Sequence, residues 1–173
     1  MNTFLTTLAM AVGLVALAIG NEHLLHFTEV TSGVNWIYLP AGLRMCYALV
    51  LPLQGTVAIF LASLWMGARD PAISGVLLFT GAAVTAAGPV LARAVAMQRL
   101  GLHPNLENLN ARMLWVLAAV FGLFSSILHQ AYYAALDREP AFIPMWIGDT
   151  LGCLLCLYGL KGLARWWRTW NKT

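Results

Sequence analysis

Apolar stretches broken by short polar ones run the length of the chain. They begin with "TFLTTLAMAVGLVALAIG" at 3–20 and continue at about 37–66, 73–97, 113–134 and 143–164. None alternates apolar and polar residues at every second position, as barrel strands do. Backbone amides in lipid have no water to bond, so runs of this length predict helices. About 20 residues cross a hydrocarbon core of about 30 Å at the helical rise. The second run is too long for one crossing and contains Pro52 and Gly55 in "LPLQG", where proline removes a helical hydrogen bond and glycine permits a turn. The pattern therefore predicts an all-α polytopic membrane helix bundle, 1–173 as a single integral membrane domain, of about six transmembrane helices. Their expected positions are about 3–20, 39–51, 55–67, 73–97, 112–134 and 144–164, the second and third short and joined by a tight Pro/Gly turn.

Composition agrees: 60% of residues are hydrophobic and only 10% charged, with mean hydropathy +0.74. A soluble domain carries roughly 25% charged residues. The net charge of +3 matters less than where the cations fall. With six helices and both termini cytoplasmic, Arg93, Arg99, Arg112, Lys161, Arg165, Arg168 and Lys172 lie inside, and only Arg69 and Arg138 lie in outer loops. This positive-inside bias predicts a multi-pass protein with both termini in the cytoplasm. No Lys or Arg precedes the first apolar run, which reads as a retained span rather than a secretory signal. Trp36, Tyr38, Trp65, Tyr132, Tyr133 and Trp146 fall at expected outer ends. Trp166, Trp167 and Trp170 lie among cations in "RWWRTWNKT", as in a headgroup anchor, so the basic tail points to the lipid bilayer and not to nucleic acid.

Small residues mark close helix contacts within the bundle: Gly81, Ala82, Thr85, Ala86 and Gly88 before Pro89, then Gly148 and Gly152. Cys46, Cys153 and Cys156 all lie in apolar runs and read as packing residues, since no βαβ pattern surrounds the Cys153-x-x-Cys156 spacing.

Two opposite charges interrupt these runs. Arg44 lies about 6 Å inside the outer end of its helix, and Asp149 about 8 Å inside the outer end of the last helix. Helix five places His129 and Gln130 at a similar level. A charge in the bilayer costs about 3 kcal/mol on insertion scales, so an Arg44–Asp149 pair is expected. Such a pair either locks two helices together or belongs to an outward-opening ligand-binding pocket walled by Arg44, Asp149, His129 and Gln130, with Tyr132 or Tyr133 at its rim. In that pocket Arg44 would hold an anionic or carbonyl group, and His129 would respond to pH.

A second cluster, "NEHLLHFTE", offers Glu22, His23 and His26, with Glu29, as a metal site, or else an amphipathic outer loop. His103 reads as a solvated loop residue. Ser125 and Ser126 near His129 are expected to bond backbone carbonyls rather than act as nucleophiles. There is no phosphate-cradling glycine loop, so no enzymatic activity is expected and the cofactor is unknown.

At "WIYLPAGLRMCYALVLPLQGTVAIFLASLWMG" and "PMWIGDTLGCLLCLYGLK" the chain resembles the MASE1 family of bacterial membrane-associated sensor domains. Pro40 and Gly42 match its first motif, and Trp146, Gly148 and Asp149 its second. The resemblance implies an inner-membrane sensory module for signal transduction. The chain is shorter than that family's eight-helix domain and carries no output domain, which implies a separate signalling partner protein reached through the 98–112 loop or the tail. The leading expectation is a small sensory or ligand-binding module for an unknown small molecule. The alternatives are a small transporter or substrate-capture subunit of one, with a transport partner protein, and an assembly factor without a ligand.

Overall fold

The computed structural model describes residues 2–31 and 33–170, with side chains for all of these except 161 and 163–169. The molecule is all-helical: α1 (Thr3–Leu24), α2 (Leu39–Val50), α3 (Pro52–Gly67), α4 (Gly75–Arg99), α5 (Ala111–Ala134) and α6 (Phe142–Trp170). Between α1 and α2 lie a 3₁₀ turn (His26–Thr28) and a small antiparallel hairpin, β1 (Glu29–Thr31) and β2 (Val34–Asn35), which turns at Gly33 with φ 79°.

Local chemistry sets the helix ends. Asn2 and Asn110 accept the amide protons of Phe4 and Met113 and so cap α1 and α5. Proline opens both α2 and α3, where its missing N–H costs no helical bond. The break between them is tight, because a β-carbon at Gly55 would stand 2.6 Å from the Tyr47 carbonyl oxygen. Past the first apolar run, α1 continues to Leu24. There the buried Asn21 accepts the Leu39 N–H at 2.9 Å and ties the end of α1 to the start of α2.

Among the described residues, four helices are long and apolar enough to cross a membrane: α1, α4, α5 and the Phe142–Leu160 part of α6. At 12 and 16 residues, α2 and α3 reach only about 18 and 24 Å at the helical rise, short of a hydrocarbon core. Of the six expected crossings, four therefore have the required length. The other two helices form a V that closes at Leu51. The shorter arm, α2, packs against all five other helices. Arg44, Met45, Ala48 and Leu49 of α2 are buried among them, whereas Val50 and Leu53 on either side of the break are exposed.

The C-termini of α1, α3 and α5 and the N-termini of α2, α4 and α6 gather at one end, here the upper end, with the β-hairpin. At the lower end, Leu102, Leu106 and Leu109 of the α4–α5 loop join the core cluster of Met45, Leu49, Ala96, Leu117 and Phe121. Leu106 takes φ 62°, a left-handed backbone that costs about 1–2 kcal/mol outside glycine. Burying a leucine contributes a comparable amount, which holds the loop in place. The outer surfaces of the long helices carry exposed apolar residues such as Phe4, Val12, Val76 and Phe79, while Arg44, Asp149, Ser125 and Ser126 are buried. That inversion of the water-soluble pattern suits a lipid surround.

The small residues act within the bundle. A β-carbon at Gly148 would overlap the Asn35 carbonyl oxygen, one at Gly152 the Tyr38 carbonyl oxygen, and one at Gly42 the Cys156 side chain. Gly81 lies against the Tyr132 ring and Gly88 against Ser125, which joins α4 to α5. Gly159, by contrast, has open space beside it. Gly152→Ala should therefore destabilise the protein by at least about 1–3 kcal/mol, the usual cost of overpacking, while Gly159→Ala stays neutral or slightly stabilising. Thermal unfolding of both variants in the same detergent checks this; equal melting temperatures would contradict the α2–α6 contact.

Candidate ligand-binding cavity

The close glycine contact brings the opposite charges of α2 and α6 together. Arg44 Nη2 lies 3.8 Å from Asp149 Oδ1, and each side chain is only 5% exposed. The guanidinium also lies over the Tyr38 ring, 5.0 Å from its centroid. At 3.8 Å the pair is an ion pair but too long for a hydrogen bond. Among the described residues no hydrogen bond reaches either side chain, and Arg44 Nε is buried without an acceptor.

Both groups line a cavity of about 530 Å³ at the upper end of the bundle. Of the residues expected at the site, Arg44, Asp149, His129 and Tyr132 line it together, and Tyr133 does too. Tyr132 and Tyr133 are buried, and the Tyr132 hydroxyl donates to the Leu77 carbonyl. Tyr38 and Trp146 likewise serve the interior rather than an outer belt: Tyr38 beneath Arg44, and Trp146 with its Nε1–H on the Ala119 carbonyl. Trp36 and Trp65 remain exposed. The side chains of Trp166 and Trp167 lie outside the described residues.

Two expected wall residues are otherwise engaged. Gln130 is not part of the lining; its Oε1 accepts the Ala141 N–H at 3.0 Å and braces the start of α6. His129 faces the cavity, but both ring nitrogens are occupied. Nδ1 lies 2.8 Å from the Ser125 carbonyl oxygen, which can only accept, so Nδ1 carries a proton; Nε2 lies 3.2 Å from the Thr85 hydroxyl. The ring shapes the wall, and Arg44 and Asp149 are the charged groups of the floor. The Ser125 hydroxyl turns toward His129 at 3.4 Å, and Ser126 Oγ is buried without a partner, so neither hydroxyl makes the expected bond to a backbone carbonyl.

The three residues considered for a metal do not converge. Glu22 pairs with Arg69 at 3.4 Å, the His23 ring bonds the Ile19 carbonyl of its own helix, and His26 opens the 3₁₀ turn. Among the described residues no three His, Cys, Asp or Glu side chains form a group able to hold a metal ion. Helical geometry would have aligned Glu22, His26 and Glu29, but the helix ends at Leu24.

Ion pairs span parts of the rim. Glu22–Arg69 links α1 to the α3–α4 loop, and Asp70–Arg138 links that loop to the α5–α6 loop. Glu29, Gly33, Val34 and Asn35 bring the β-hairpin into the lining, a contribution that no pattern in the sequence announced. Comparison of the chain with protein-family models, with curated proteins and with solved structures finds no match.

Removing one member of the Arg44–Asp149 pair leaves the other buried and uncompensated. Arg44→Met or Asp149→Leu alone should cost about 3–5 kcal/mol, while the double substitution should be near neutral. A double-mutant cycle of unfolding free energies checks this, and additive losses would show that the two charges do not interact. At the rim, the Asp70 carboxyl is held below the usual carboxylate range. The leading cause is the Ala72 N–H donated to it; burial opposes this, and Arg138 adds to the lowering. A depressed carboxylate contributes stability that is fully present above its unfolded pKa and is lost as pH falls through its folded one. The wild-type melting temperature should therefore fall more steeply than that of Asp70→Asn as pH drops below about 4. Parallel curves for the two proteins would contradict the assignment.

Proposed function

We propose that this chain is a small multi-pass protein of the bacterial cytoplasmic membrane that acts as a sensory or ligand-binding module, with the cavity open to the outer side and both termini in the cytoplasm. The observation that carries this reading is the cavity itself, with a guanidinium and a carboxylate at its floor that no group among the described residues hydrogen-bonds. A pair serving only to lock helices would be expected to close into direct hydrogen bonds. Cation placement supports the orientation. Arg99 and Arg112 flank the lower loop, while the upper-end cations Arg69 and Arg138 are each neutralised by an acid. In this topology α2 and α3 enter from the outer face and return to it. Four crossings and one hairpin then keep the termini on the same side, as six crossings would.

The residues that carry the MASE1 resemblance support the sensory reading. Pro40 and Asp149 line the cavity, and Gly42 and Gly148 lie in the contacts that α6 makes with α2 and the segment leading into it. Signalling would pass through a separate partner at the lower loop or the tail. Native mass spectrometry of gently purified protein should reveal a bound small molecule that Arg44→Ala and Asp149→Ala lose, and the charge-swapped double variant should not regain it. Full recovery on swapping would reduce the pair to a structural role. A broken helix hairpin at the centre of the bundle also suits a transporter or its capture subunit. Gradient-driven accumulation in sealed vesicles would favour that reading over the sensor.

A further inference from the structure

The floor of the cavity presents a particular demand. A guanidinium has five N–H donors and a carboxylate accepts about four hydrogen bonds, yet among the described residues the one donates none and the other accepts none, and Arg44 Nε is buried without an acceptor, although each side chain is only 5% exposed. Leaving such groups unsatisfied in a low-dielectric interior is costly, and their mutual attraction at 3.8 Å meets only part of the requirement. A lone anion would satisfy Arg44 but add negative charge to a lining that already holds four carboxylates (Glu22, Glu29, Asp70, Asp149) against two guanidiniums (Arg44, Arg138). A lone cation would suit Asp149 but leave Arg44 without an acceptor. A molecule that carries both charges, set opposite to the pair, satisfies both at once.

The rest of the cavity describes the remainder of that molecule. The rim charges Glu22 and Asp70 already have cationic partners and the exposed Glu29 accepts the Gly33 N–H, so the buried unmet charges lie at the floor. Above it, α1, α3 and α4 supply an apolar wall that includes Leu14, Val15, Ala62 and Leu78. At about 530 Å³ the cavity is within the ordinary range of small-molecule sites and has room for a side chain against that wall.

We propose that the cavity binds a zwitterion of the α-amino-acid class with an apolar side chain, its carboxylate on Arg44 and its ammonium group on Asp149. This rests on the ligand-binding reading above and names the ligand's chemistry. The carboxylate accepts from the guanidinium, the ammonium donates to Asp149, and the apolar side chain lies along α1 and α3.

The test uses the full chain in lipid nanodiscs. Glycine, L-leucine and L-phenylalanine are titrated by calorimetry, each alongside its N-acetyl form, which lacks the cation, and its methyl ester, which lacks the anion. The free amino acids should bind, leucine and phenylalanine more tightly than glycine, and blocking either end should weaken binding tenfold or more. Asp149→Asn should lose the preference for the free form over the N-acetyl form, and Arg44→Gln the preference over the ester. If these variants do not fold, the wild-type panel decides alone. Equal binding of all three forms, or tightest binding of a blocked form, would overturn the zwitterion while leaving the binding cavity intact. The same holds if no form binds but native mass spectrometry finds another molecule held through Arg44. No binding by the panel and no retained molecule would overturn both proposals.

Discussion

The structure turns on one electrostatic constraint: a guanidinium and a carboxylate, each almost fully buried, facing each other across the α2–α6 contact. Charges at this depth are tolerated only when they meet, and they meet here because glycine lets the helices approach closely. At Gly42 and Gly152 there is no room for a β-carbon between α2 and α6. At Gly148, α6 comes against the backbone of β2 and accepts the Tyr38 N–H that leads into α2. Small residues thus set the distance, and the distance sets the strength of the charge interaction. Yet 3.8 Å stops short of hydrogen bonding, so the pair is held together without being satisfied.

Much of this was legible in the sequence, for identifiable reasons. Helices in an apolar medium must satisfy their own backbones, so uninterrupted apolar runs marked α1, α4, α5 and α6, and Pro52 with Gly55 marked the break between α2 and α3. Counting residues from each helix end placed Arg44 and Asp149 at one depth, because rise per residue is nearly constant. Depth does not fix direction around the helix, however. His129 and Gln130 were counted at the same level, yet Gln130 turns to the Ala141 backbone and His129 uses both nitrogens on its neighbours. Which side chain is free is decided by tertiary partners that a linear count does not contain.

The segment between α1 and α2 was the least legible. A helix continued through Glu22, His26 and Glu29 would have lined them on one face, but the chain leaves the helix at Leu24, turns through the 3₁₀ segment and forms the β-hairpin. Strands of three and two residues are too short for any periodicity to register. The cue that existed was Asn21, a polar residue at the end of an apolar run whose amide receives the first N–H of α2. Aromatic residues misled in the same way: Tyr132 and Tyr133 have the sequence position of interfacial anchors, but their hydroxyl-bearing rings close the bundle from within.

The shortness of α2 has a mechanical consequence. Contacted by all five other helices, α2 is a short rod whose upper end meets the cavity through Arg44 and whose lower end meets the leucines of the α4–α5 loop through Leu49. A shift of α2 along its axis would therefore be felt at both places, the loop being held in a left-handed backbone at Leu106. In a bundle of full-length spans such a displacement would be resisted by both bilayer surfaces. Here Leu49 rests against the α4–α5 loop, at the end of the bundle opposite the cavity.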